Sequence, residues 1–523
     1  MNATEWLTEV ARTNAGRTFL IDAATGDELT FAELDGAARR IAGALREELP
    51  KGARVALLLG NSSAFAKLYF GCLYAGIVTV PVNPTLGPDE IAFIVRHSDA
   101  SWLVVSPETA ALADRDAARA AGLTLRLLED GRRGEPVQDL ERWEPELAGT
   151  TLEPFDGVAP DDTLTIVYTS GTTARPVGVV HRISSLVDNA RLFNTTVGIG
   201  PENRFYGILA MTYLGGYYNL LLLPYVAAAS VVLSDVFNAA SALTFWSTAE
   251  KHGVNTLWVV PTIMSILLEL DRSETGATWA RRAVRLALVG TAPLAPTTRR
   301  AFEQRYGVRL YENYALSETT FLTTNRPGDD IAPGSVGRPL EQVALRIVRD
   351  VGTEASTGEE GEIQVRTPFL MERYHTDSPD RAGLPLIGGW FPTGDLGRLD
   401  EHGELFVTGR KKDMIIRGGV NISPAAIEQL VQEHHSVLEC AVVGIAHALY
   451  GEDVAAAIRI AKGAEPERVR DEVVDLCRRR LGPSRRPAHV IVLEDFPRTS
   501  SGKVQKRFLR EYVEGTLARG GAA

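Results

Sequence analysis

The chain has 523 residues, of which 45% are hydrophobic and 23% charged, and its formal net charge is −11. This length exceeds what one hydrophobic core supports, so we expect two to four domains. The composition is typical of a globular protein and excludes general disorder. The negative charge argues against nucleic acid as a main partner, because phosphate backbones require a basic face.

The cysteines and the apolar runs indicate in which cellular compartment the protein is expected. Cys72, Cys440 and Cys477 are far apart and form no CxxC pair, so we expect neither a disulfide framework nor a cysteine metal site. Residues 1–6 lack the basic-then-apolar pattern of a signal peptide. The longest apolar run, 220–233, is interrupted by a proline and a serine and is too short to span a bilayer. We therefore expect a cytoplasmic protein without a membrane span.

Helix and strand signals alternate along the first part of the chain. Thr30 and Glu33 have the spacing of a capping box, and the apolar residues that follow fall on one helical face. A second helix is expected over 62–75, closed by Gly76, and a third begins at Pro88. Strands are expected over 55–59, 77–82, 102–105, 230–233, 256–260 and 285–289, with a helix from Pro261. This alternation predicts parallel sheets covered by helices.

The pattern changes beyond Gly334. The segments 361–366 and 403–407 are short, alternating and bounded by glycine, which predicts antiparallel strands. After the charged stretch 410–413 a separate small α+β domain is expected. Between residues 476 and 510 the chain carries ten Lys or Arg against two acids. This segment is either a solvated helix face docked on an acidic neighbour or an edge that handles phosphate.

Residues 168–178, Tyr-Thr-Ser-Gly-Thr-Thr-Ala-Arg-Pro-Val-Gly, form a loop rich in small hydroxyl residues directly after the apolar run 164–167. Such a loop presents converging backbone N–H groups and hydroxyls that suit phosphate oxygens. No Gly-Lys-Ser/Thr follows Gly171 at the required spacing, so this is not a Walker loop. A surface turn is the alternative, and the hydroxyl density after a buried strand favours phosphate binding.

Four further segments carry residues suited to nucleotide chemistry. Residues 311–318 follow an apparent strand and end in a carboxylate beside hydroxyls, a ligand set suited to Mg²⁺ on a triphosphate. Residues 389–395 place Asp395 in a tight loop, where it can accept both ribose hydroxyls. Arg410 supplies a guanidinium for phosphate or ribose oxygens. Residues 497–503 place a lysine in a flexible loop of small residues.

Together and in this order, these segments resemble the adenylate-forming (ANL) superfamily of acyl-CoA synthetases, carrier-linked adenylation domains and luciferases. The resemblance extends from Leu29 to Lys503 and includes residues 334–339 and 358–363. It implies an α/β fold with a large N-terminal adenylation domain, residues 1–411, made of helix-covered sheets plus a small antiparallel barrel-like part. A small mobile α+β C-terminal domain would cover residues 412–523. The implied activity is that of an acyl-CoA ligase, which converts an acid and ATP to an acyl-adenylate and transfers the acyl group to CoA.

The resemblance also implies roles in nucleotide binding. The ATP phosphates would be held by Thr169, Ser170, Gly171, Thr172 and Thr173. The adenine would lie between Gly290, Thr291, Ala292 and Pro293 on one side and Asn313 and Tyr314 on the other. Ser317 and Glu318 would handle phosphate and Mg²⁺, while Asp395 would bind the ribose and Arg410 the ribose or phosphate.

Other positions match the family's moving and substrate-binding parts. Lys503 matches the catalytic lysine, which reaches the substrate carboxylate and the α-phosphate, and Lys412 matches the hinge. Gly418 and Gly419 match the loop that meets the pantetheine of CoA. The candidate acid-pocket residues are Thr212, Tyr213, Tyr217 and Ala315. The implied partners are a carboxylic acid or its adenylate and CoA, with a carrier-protein thiol as an alternative acceptor.

The phosphate loop departs from the family pattern. The family usually has Gly-x-Pro-Lys-Gly where this chain has Ala174-Arg-Pro-Val-Gly178, so Val177 removes a cation near the β- and γ-phosphates. Ala174 adds a methyl group where the backbone approaches the phosphates. The first half-reaction is therefore expected to be weakened. The alternatives are an enzyme that thioesterifies a preformed acyl-adenylate and a non-catalytic nucleotide-binding protein, against which the retained Lys503 weighs.

Overall fold

Sheets flanked by helices dominate the computed structural model, which describes residues 1–120, 122–129, 140, 142–145, 150–169, 176–377, 383–418, 420–482, 485–498 and 503–520. The strands of the first half are β1 Thr18–Asp22, β2 Glu28–Thr30, β3 Arg54–Leu58, β4 Val78–Pro81, β5 Trp102–Val105, β6 Thr124–Leu127, β7 Thr163–Thr169, β8 Val177–Arg182, β9 Arg204–Gly207, β10 Ser230–Leu233 and β11 Thr256–Val259. Those of the second half are β12 Leu286–Val289, β13 Leu310–Leu316, β14 Thr320–Thr324, β15 Arg338–Pro339, β16 Ala344–Val348, β17 Gly361–Arg366, β18 Arg373–His375, β19 Phe391–Leu399, β20 Leu405–Arg410, β21 Ile415–Arg417, β22 Val420–Ile422, β23 Val437–His447, β24 Gly451–Ile460 and β25 His489–Val492.

The helices lie mostly between the strands. They are α1 Ala3–Thr13, α2 Phe31–Glu48, α3 Ser63–Ala75, α4 Pro88–His97, α5 Arg115–Ala120, α6 Ile183–Val197, α7 Leu214–Tyr217, α8 Leu223–Val226, α9 Ala239–Ala242, α10 Phe245–Lys251, α11 Pro261–Leu270, α12 Glu274–Ala283, α13 Pro296–Tyr306, α14 Pro424–Val431, α15 Pro466–Leu481 and α16 Lys506–Gly520. Short 3₁₀ turns occur at Ala110–Leu112 and Lys411–Asp413, and a π-helical turn at Tyr218–Leu222.

Among the described residues the strands form four sheets. The nine-stranded sheet has the order β15-β14-β13-β12-β11-β9-β10-β1-β2 and the seven-stranded sheet β18-β8-β7-β4-β3-β5-β6. The central strands of both are parallel, as the alternating sequence pattern predicts. The predicted antiparallel part is the sheet β16-β17-β19-β20. The fourth sheet, β22-β21-β24-β23 with β25 beside β24, belongs to the C-terminal part. The α/β fold class is confirmed.

Local signals placed the first helices correctly. Thr30 caps α2, because its hydroxyl accepts the N–H of Glu33 at 3.2 Å while the Glu33 carboxylate accepts the N–H of Thr30 at 2.8 Å. Helix α3 ends at Gly76, whose φ of 64° is the left-handed conformation that glycine adopts at low cost. Predicted and observed strand ends differ by at most one residue in the parallel sheets, which is the usual fraying of such boundaries, whereas the segment predicted over 403–407 is observed at Leu405–Arg410.

Two predicted placements differ from the structure. Residues 311–316 are part of β13 rather than a segment that follows a strand. Asp395 is not in a tight loop, because β19 begins at Phe391 and continues through it. The glycine-rich sequence of this segment is typical of a turn, and Gly394 has a φ of 72°, but backbone pairing with β17 and β20 makes it a strand.

The apolar side chains of the described residues pack in separate cores. Two clusters lie within residues 3–405, and two others within residues 415–513. The predicted domain boundary between Lys411 and Lys412 stays a prediction. Of the basic residues in the C-terminal part, Arg478 and Arg479 pair with Asp475 on the same exposed helix. This pairing supports the solvated-helix alternative for α15.

None of the helices that the structure describes is both long and apolar enough to cross a membrane. The three cysteines are free and buried.

Candidate functional site

A cleft with a volume of about 2150 Å³ lies where the carboxyl ends of β11 and β12 face the C-terminal part of the chain. In open parallel sheets, ligands bind in the crevice at the carboxyl ends of the strands, where the loops that follow neighbouring strands diverge. Most of the nucleotide-site residues suggested by the sequence line the cleft: Gly290, Thr291, Ala292, Pro293, Asn313, Tyr314, Asp395 and Arg410. The hinge candidate Lys412 and the catalytic candidate Lys503 line it as well. Residues far apart in the sequence thus meet in one place.

Asp395 is the buried anion at the centre of this group. It is 4% exposed, its Oδ2 accepts the hydroxyl of Tyr314 at 2.7 Å, and its Oδ1 lies 3.0 Å from Nε of Arg410. Burial, and secondly the charge of Asp395, raise the pKa of Tyr314 well above its ordinary value. Tyr314 therefore remains a neutral donor, and two partners hold the carboxylate in one orientation toward the cleft.

The loop after β12 is held by Asn313. The Nδ2 of Asn313 donates to the carbonyl of Val289 at 2.9 Å. A Cβ on Gly290 would lie 2.6 Å from Oδ1 of Asn313, so only glycine allows this contact. The next residue, Thr291, has a φ of 74°, which a β-branched residue rarely adopts. Contacts between β12 and β13 therefore fix the shape of this loop, which can offer a flat surface to a planar ring.

Lys503 lies within the cleft on the C-terminal side. The surrounding protein lowers the pKa of its ammonium group to about 8. Loss of hydration is the largest cause and the charge of Arg410 the second, while Asp395 and Glu318 oppose them. The ammonium group is therefore within electrostatic reach of the same carboxylates that the sequence assigned to the nucleotide site.

Glu318 and Ser317 lie just beyond β13. The Oε1 of Glu318 accepts the hydroxyl of Tyr374 at 3.0 Å, and the carbonyl of Ser317 accepts Nε2 of His181 at 2.6 Å. Among the described residues, no group of three or more His, Cys, Asp or Glu side chains could hold a metal ion. A single half-buried carboxylate fits Mg²⁺ only when phosphates and water supply the other ligands, as they do for Mg²⁺ bound to a nucleotide.

The phosphate loop is described only at its two ends. Thr169 ends β7 and is paired with Val177, the first residue of β8, and Pro176 lines the cleft. The candidate residues Ser170, Gly171, Thr172 and Thr173, together with Ala174, lie outside the described residues. The pairing of β7 with β8 therefore holds both ends of the loop near the edge of the cleft. Val177 is half-buried at the point where the loop ends and β8 begins.

The hinge and CoA candidates lie at the start of the C-terminal part. Lys412 is in the 3₁₀ turn between β20 and β21, and loss of hydration followed by the charge of Arg410 lowers its pKa. Gly418 has a φ of 56° in the turn between β21 and β22, and its N–H donates to the carbonyl of Tyr450 at 2.9 Å. Gly419 lies outside the described residues.

The acid-pocket candidates divide into two groups. Ala315 lines the cleft and is exposed to it. Thr212, in the loop after β9, and Tyr217, in α7, are buried, Tyr213 is half-buried, and none of the three lines the cleft. A Cβ on Gly215 would lie 2.6 Å from the Tyr213 ring and 3.4 Å from the Thr291 methyl group. Tyr213 and Thr291 therefore meet where the cleft wall reaches this loop.

Sequence reasoning missed two buried polar groups near the site. Arg299 of α13 donates to Oε1 of Glu312 at 2.8 Å, and burial raises the pKa of Glu312 to about 7 against the effect of Arg299. Nδ1 of His97 lies 2.7 Å from the hydroxyl of Tyr168, the residue before Thr169. Neither pair has a local sequence signal, because the partners come from separate elements.

The chain matches known proteins along most of its length. The model of the family described as "AMP-binding enzyme" matches residues 7–375, and that of the "AMP-binding enzyme C-terminal domain" matches residues 426–503. A sulfoacetate–CoA ligase of Cupriavidus necator is 32% identical over 93% of each chain. An indoleacetate–CoA ligase of Aromatoleum aromaticum is 30% identical over 98% of each chain.

A solved structure agrees with this assignment. The crystal structure of the anthranilate CoA ligase AuaEII in complex with anthranoyl-AMP superposes with a TM-score of 0.89 and 25% sequence identity, covering 99% of this chain and 98% of that one. The family resemblance inferred from the motifs is confirmed by these matches. The chain belongs to the AMP-binding enzymes of the adenylate-forming superfamily and is an acid–thiol ligase of the acyl-CoA synthetase type.

Proposed function

We propose that this protein is an acyl-CoA ligase whose adenylation step is weakened by its phosphate loop. A carboxylate oxygen of the acid attacks the α-phosphorus of ATP and pyrophosphate leaves, giving an acyl-adenylate. The thiol of CoA then attacks the acyl carbonyl, and AMP leaves. The observation that carries the proposal is the grouping of Tyr314, Asp395 and Arg410 in one cleft with Lys503.

The residues of the cleft have complementary tasks in the first step. Asp395 accepts the ribose hydroxyls, and Arg410 and Tyr314 hold it in position. The ammonium of Lys503, which lines the same cleft, would contact both reacting anions, the acid carboxylate and the α-phosphate. A cation placed there lowers the repulsion between the reacting groups, which is the main barrier to their approach.

Mg²⁺ belongs to the proposal as the ion that accompanies ATP. It neutralises phosphate charge when bound, and Glu318 is the residue we assign to it, beside Ser317 on the phosphate side. The single hydrogen bond from Tyr374 to Glu318 supports this assignment, because it orients the carboxylate. The loop residues Thr169 to Thr173 would bind the β- and γ-phosphates.

The second step needs a different surface. We assign the turn at Gly418 and Gly419 to the pantetheine arm of CoA, and Lys412 to the hinge about which the C-terminal domain, residues 412–523, moves between the two steps. The isolated apolar core of the C-terminal part supports independent movement. Because relatives of this chain are CoA ligases, we propose CoA rather than a carrier-protein thiol as the acceptor.

We also propose a cytoplasmic location, which the free cysteines support.

The proposal is tested by separating the half-reactions. Pyrophosphate release is measured with ATP and a panel of carboxylic acids, and thioester formation is measured with CoA and prepared acyl-adenylates. We expect slow adenylation and faster thioester formation. Lys503→Ala should lower adenylation at least ~10²-fold and spare the second step, because the interaction is made in one transition state only.

Lys506→Ala is the matched control. Lys506 also lines the cleft, but its Nζ lies 2.7 Å from the Glu428 carboxylate within the C-terminal part. This variant should retain adenylation within about twofold, since the pair joins two residues of the C-terminal part and its ammonium is held by Glu428. Equal loss in both half-reactions of the Lys503 variant would contradict the assigned role, and no thioester from any adenylate would contradict the ligase function.

A further inference from the structure

The loop that carries Lys503 is closed at its base by the chain on either side of it. Arg498 and Val504 form an antiparallel bridge. The N–H of Gln505 donates to the carbonyl of Pro497 at 2.7 Å. We call these four residues the stem of the lysine loop. Because Lys503 directly precedes Val504, the position of the stem determines where the ammonium group can reach.

Glu439 of β23 holds the stem through an ion pair. Its Oε2 accepts a hydrogen bond from Nη2 of Arg498 at 2.5 Å, and the two side chains are only 22% and 20% exposed. The carboxylate of Asp495 also lies 3.6 Å from Nε of Arg498, but it is 77% exposed. Water and salt weaken an exposed pair, so the shielded bond to Glu439 is the stronger restraint on the stem.

The same carboxylate continues toward the N-terminal part of the chain. Glu439 lies opposite Arg459 of β24 in the register of the two strands, and its Oε2 is 3.6 Å from Nε of Arg459. Nη1 of Arg459 lies 3.7 Å from Oε2 of Glu269, a residue of α11. Charges of alternating sign therefore connect the stem of the lysine loop to α11, and all four of these charged residues line the cleft.

This connection matters because the reacting groups come from both parts of the chain. Lys503 belongs to the C-terminal part, whereas Asp395 and Arg410 precede it and contribute the ribose and phosphate side of the proposed site. Helix α11 follows β11, whose carboxyl end borders the cleft. A contact between α11 and the C-terminal part consequently sets the distance between the lysine loop and the nucleotide-binding residues.

We propose that Glu439 is a positioning residue for the adenylation step. It holds the stem of the lysine loop through Arg498, and through Arg459 and Glu269 it holds the C-terminal part against α11. The inference rests on the proposed role of Lys503 in the ligase. Because the C-terminal domain moves between the two steps, the pair between Arg459 and Glu269 opens before the second step. The ion pairs of Glu439 therefore serve adenylation and not thioester formation.

The test measures both half-reactions in Glu439→Gln, which removes the charge and keeps the size of the side chain. Adenylation is followed as pyrophosphate release and, in reverse, as ATP formed from a prepared acyl-adenylate and pyrophosphate. We expect its kcat to fall ~10-fold or more with KM for ATP within about twofold, because a displacement of about 1 Å can cost ~10²-fold in rate. Thioester formation from the prepared adenylate and CoA should stay within about twofold.

Further variants show whether the effect passes through the lysine. Glu439→Gln added to Lys503→Ala should cause no loss beyond about twofold, since residues that act through one group are not additive. Arg498→Gln should reproduce the loss of adenylation, and combining it with Glu439→Gln should be no worse than either change alone. Glu269→Gln should cause a smaller loss, because its side chain is 54% exposed.

Glu467→Gln is the matched control. Glu467 pairs with Arg470 at 2.5 Å on α15, and neither residue lines the cleft in the described part of the chain. Both half-reactions of this variant should stay within about twofold.

The outcomes separate this inference from the ligase function. Unchanged adenylation in Glu439→Gln and Arg498→Gln, an equal loss in both half-reactions, or a further loss in the Lys503→Ala background would overturn the inference and leave the ligase function intact. If the unaltered protein forms neither pyrophosphate with any acid nor a thioester from any adenylate, the ligase function fails and the inference fails with it.

Discussion

The hydroxyl of Tyr314 donates to Oδ2 of Asp395 at 2.7 Å and thereby joins two sheets. Tyr314 belongs to β13 of the nine-stranded sheet, whereas Asp395 belongs to β19 of the four-stranded antiparallel sheet. Arg410, on the neighbouring strand β20, lies opposite Asp395 in the register. One hydrogen bond therefore sets the distance between the wall proposed for adenine and the carboxylate proposed for ribose.

Tyr314→Phe should weaken nucleotide binding about tenfold. A hydrogen bond to a charged group is worth about 1.5–3 kcal/mol, and 1.4 kcal/mol corresponds to a factor of ten in affinity. Without the donor, Asp395 keeps Arg410 but loses its fixed orientation. AMP affinity measured by calorimetry checks the effect. Tyr311→Phe, on the same strand, is the control and should leave affinity unchanged; equal effects of both variants would show that only strand packing is being measured.

The pH dependence of adenylation should report Lys503. Its pKa is lowered to about 8, so the ammonium is present below pH 8 and is lost as the pH rises through that value. Because kcat/KM reports groups of the free enzyme, its value for pyrophosphate release should fall ~10-fold per pH unit above about 8. Lys503→Arg remains cationic, so its profile should stay flat to pH 10 even if its rate is lower. An identical alkaline decline in both proteins would exclude Lys503 as its source.

Arg299→Met should destabilise the protein by about 3 kcal/mol at pH 8, because it leaves the carboxylate of Glu312 buried without its cation. Burial raises the pKa of Glu312 above the unfolded value, so the folded state favours the protonated form, and stability decreases as the pH rises toward about 7. The loss should therefore be smaller at pH 6.

The Arg299 prediction is measured by urea unfolding at both pH values. Adding Glu312→Gln to the variant should recover most of the loss at pH 8, and Arg300→Met, at the exposed neighbouring position, should have little effect. A loss of equal size at pH 6 and pH 8 that Glu312→Gln does not relieve would mean that Arg299 acts through packing alone.

The elements with local signals were predictable from sequence. The capping box at Thr30 and the glycine at the end of α3 act within a few residues, so their signals are independent of tertiary structure. Runs of buried apolar residues marked β5 and β10 for the same reason. Motif order then suggested which distant residues share a site, and Asp395, Arg410 and Tyr314 do meet.

The remaining features depend on contacts between distant residues. Asp395 was assigned to a loop because its glycine-rich segment has turn composition, and only pairing with β17 and β20 makes it a strand. The partners of Glu312 and Tyr168 lie 13 and 71 residues away, on helices α13 and α4. No periodicity or spacing rule encodes such pairs, since they follow from how the helices pack on the sheets.

Lys412→Pro should uncouple the two half-reactions. Proline fixes φ near −65°, which would restrict rotation at the 3₁₀ turn between β20 and β21. Lys412→Ala removes the same ammonium from the cleft without fixing φ, and so separates the backbone effect from the loss of charge. Adenylation alone should persist, whereas overall thioester formation from acid, ATP and CoA should fall ~10-fold or more. Lys411→Ala is the neighbouring control, because the Lys411 ammonium pairs with Glu362 at 3.2 Å and does not line the cleft as far as the structure describes it. Wild-type rates in both assays would place the hinge elsewhere.

Restoring a cation to the phosphate loop should improve ATP use. ATP carries about four negative charges and Mg²⁺ offsets two of them, whereas an acyl-adenylate carries a single phosphate charge. Val177 is half-buried where the loop enters β8, so a lysine there could extend its ammonium into the cleft along its alkyl stem. The present loop should therefore impair ATP binding or turnover while sparing the adenylate.

Calorimetry with Mg²⁺·ATP and with a non-hydrolysable acyl-adenylate mimic tests this difference on the unaltered protein. Val177→Lys combined with Ala174→Gly should raise pyrophosphate release ~10-fold or more, since one added phosphate-side cation is comparable to one oxyanion donor, about 2–4 kcal/mol. Val177→Met with Ala174→Gly is the uncharged control and should give little gain. Rapid ATP-dependent adenylation by the unaltered protein would refute the weakened loop, because the reaction would then proceed without the cation that Val177 lacks.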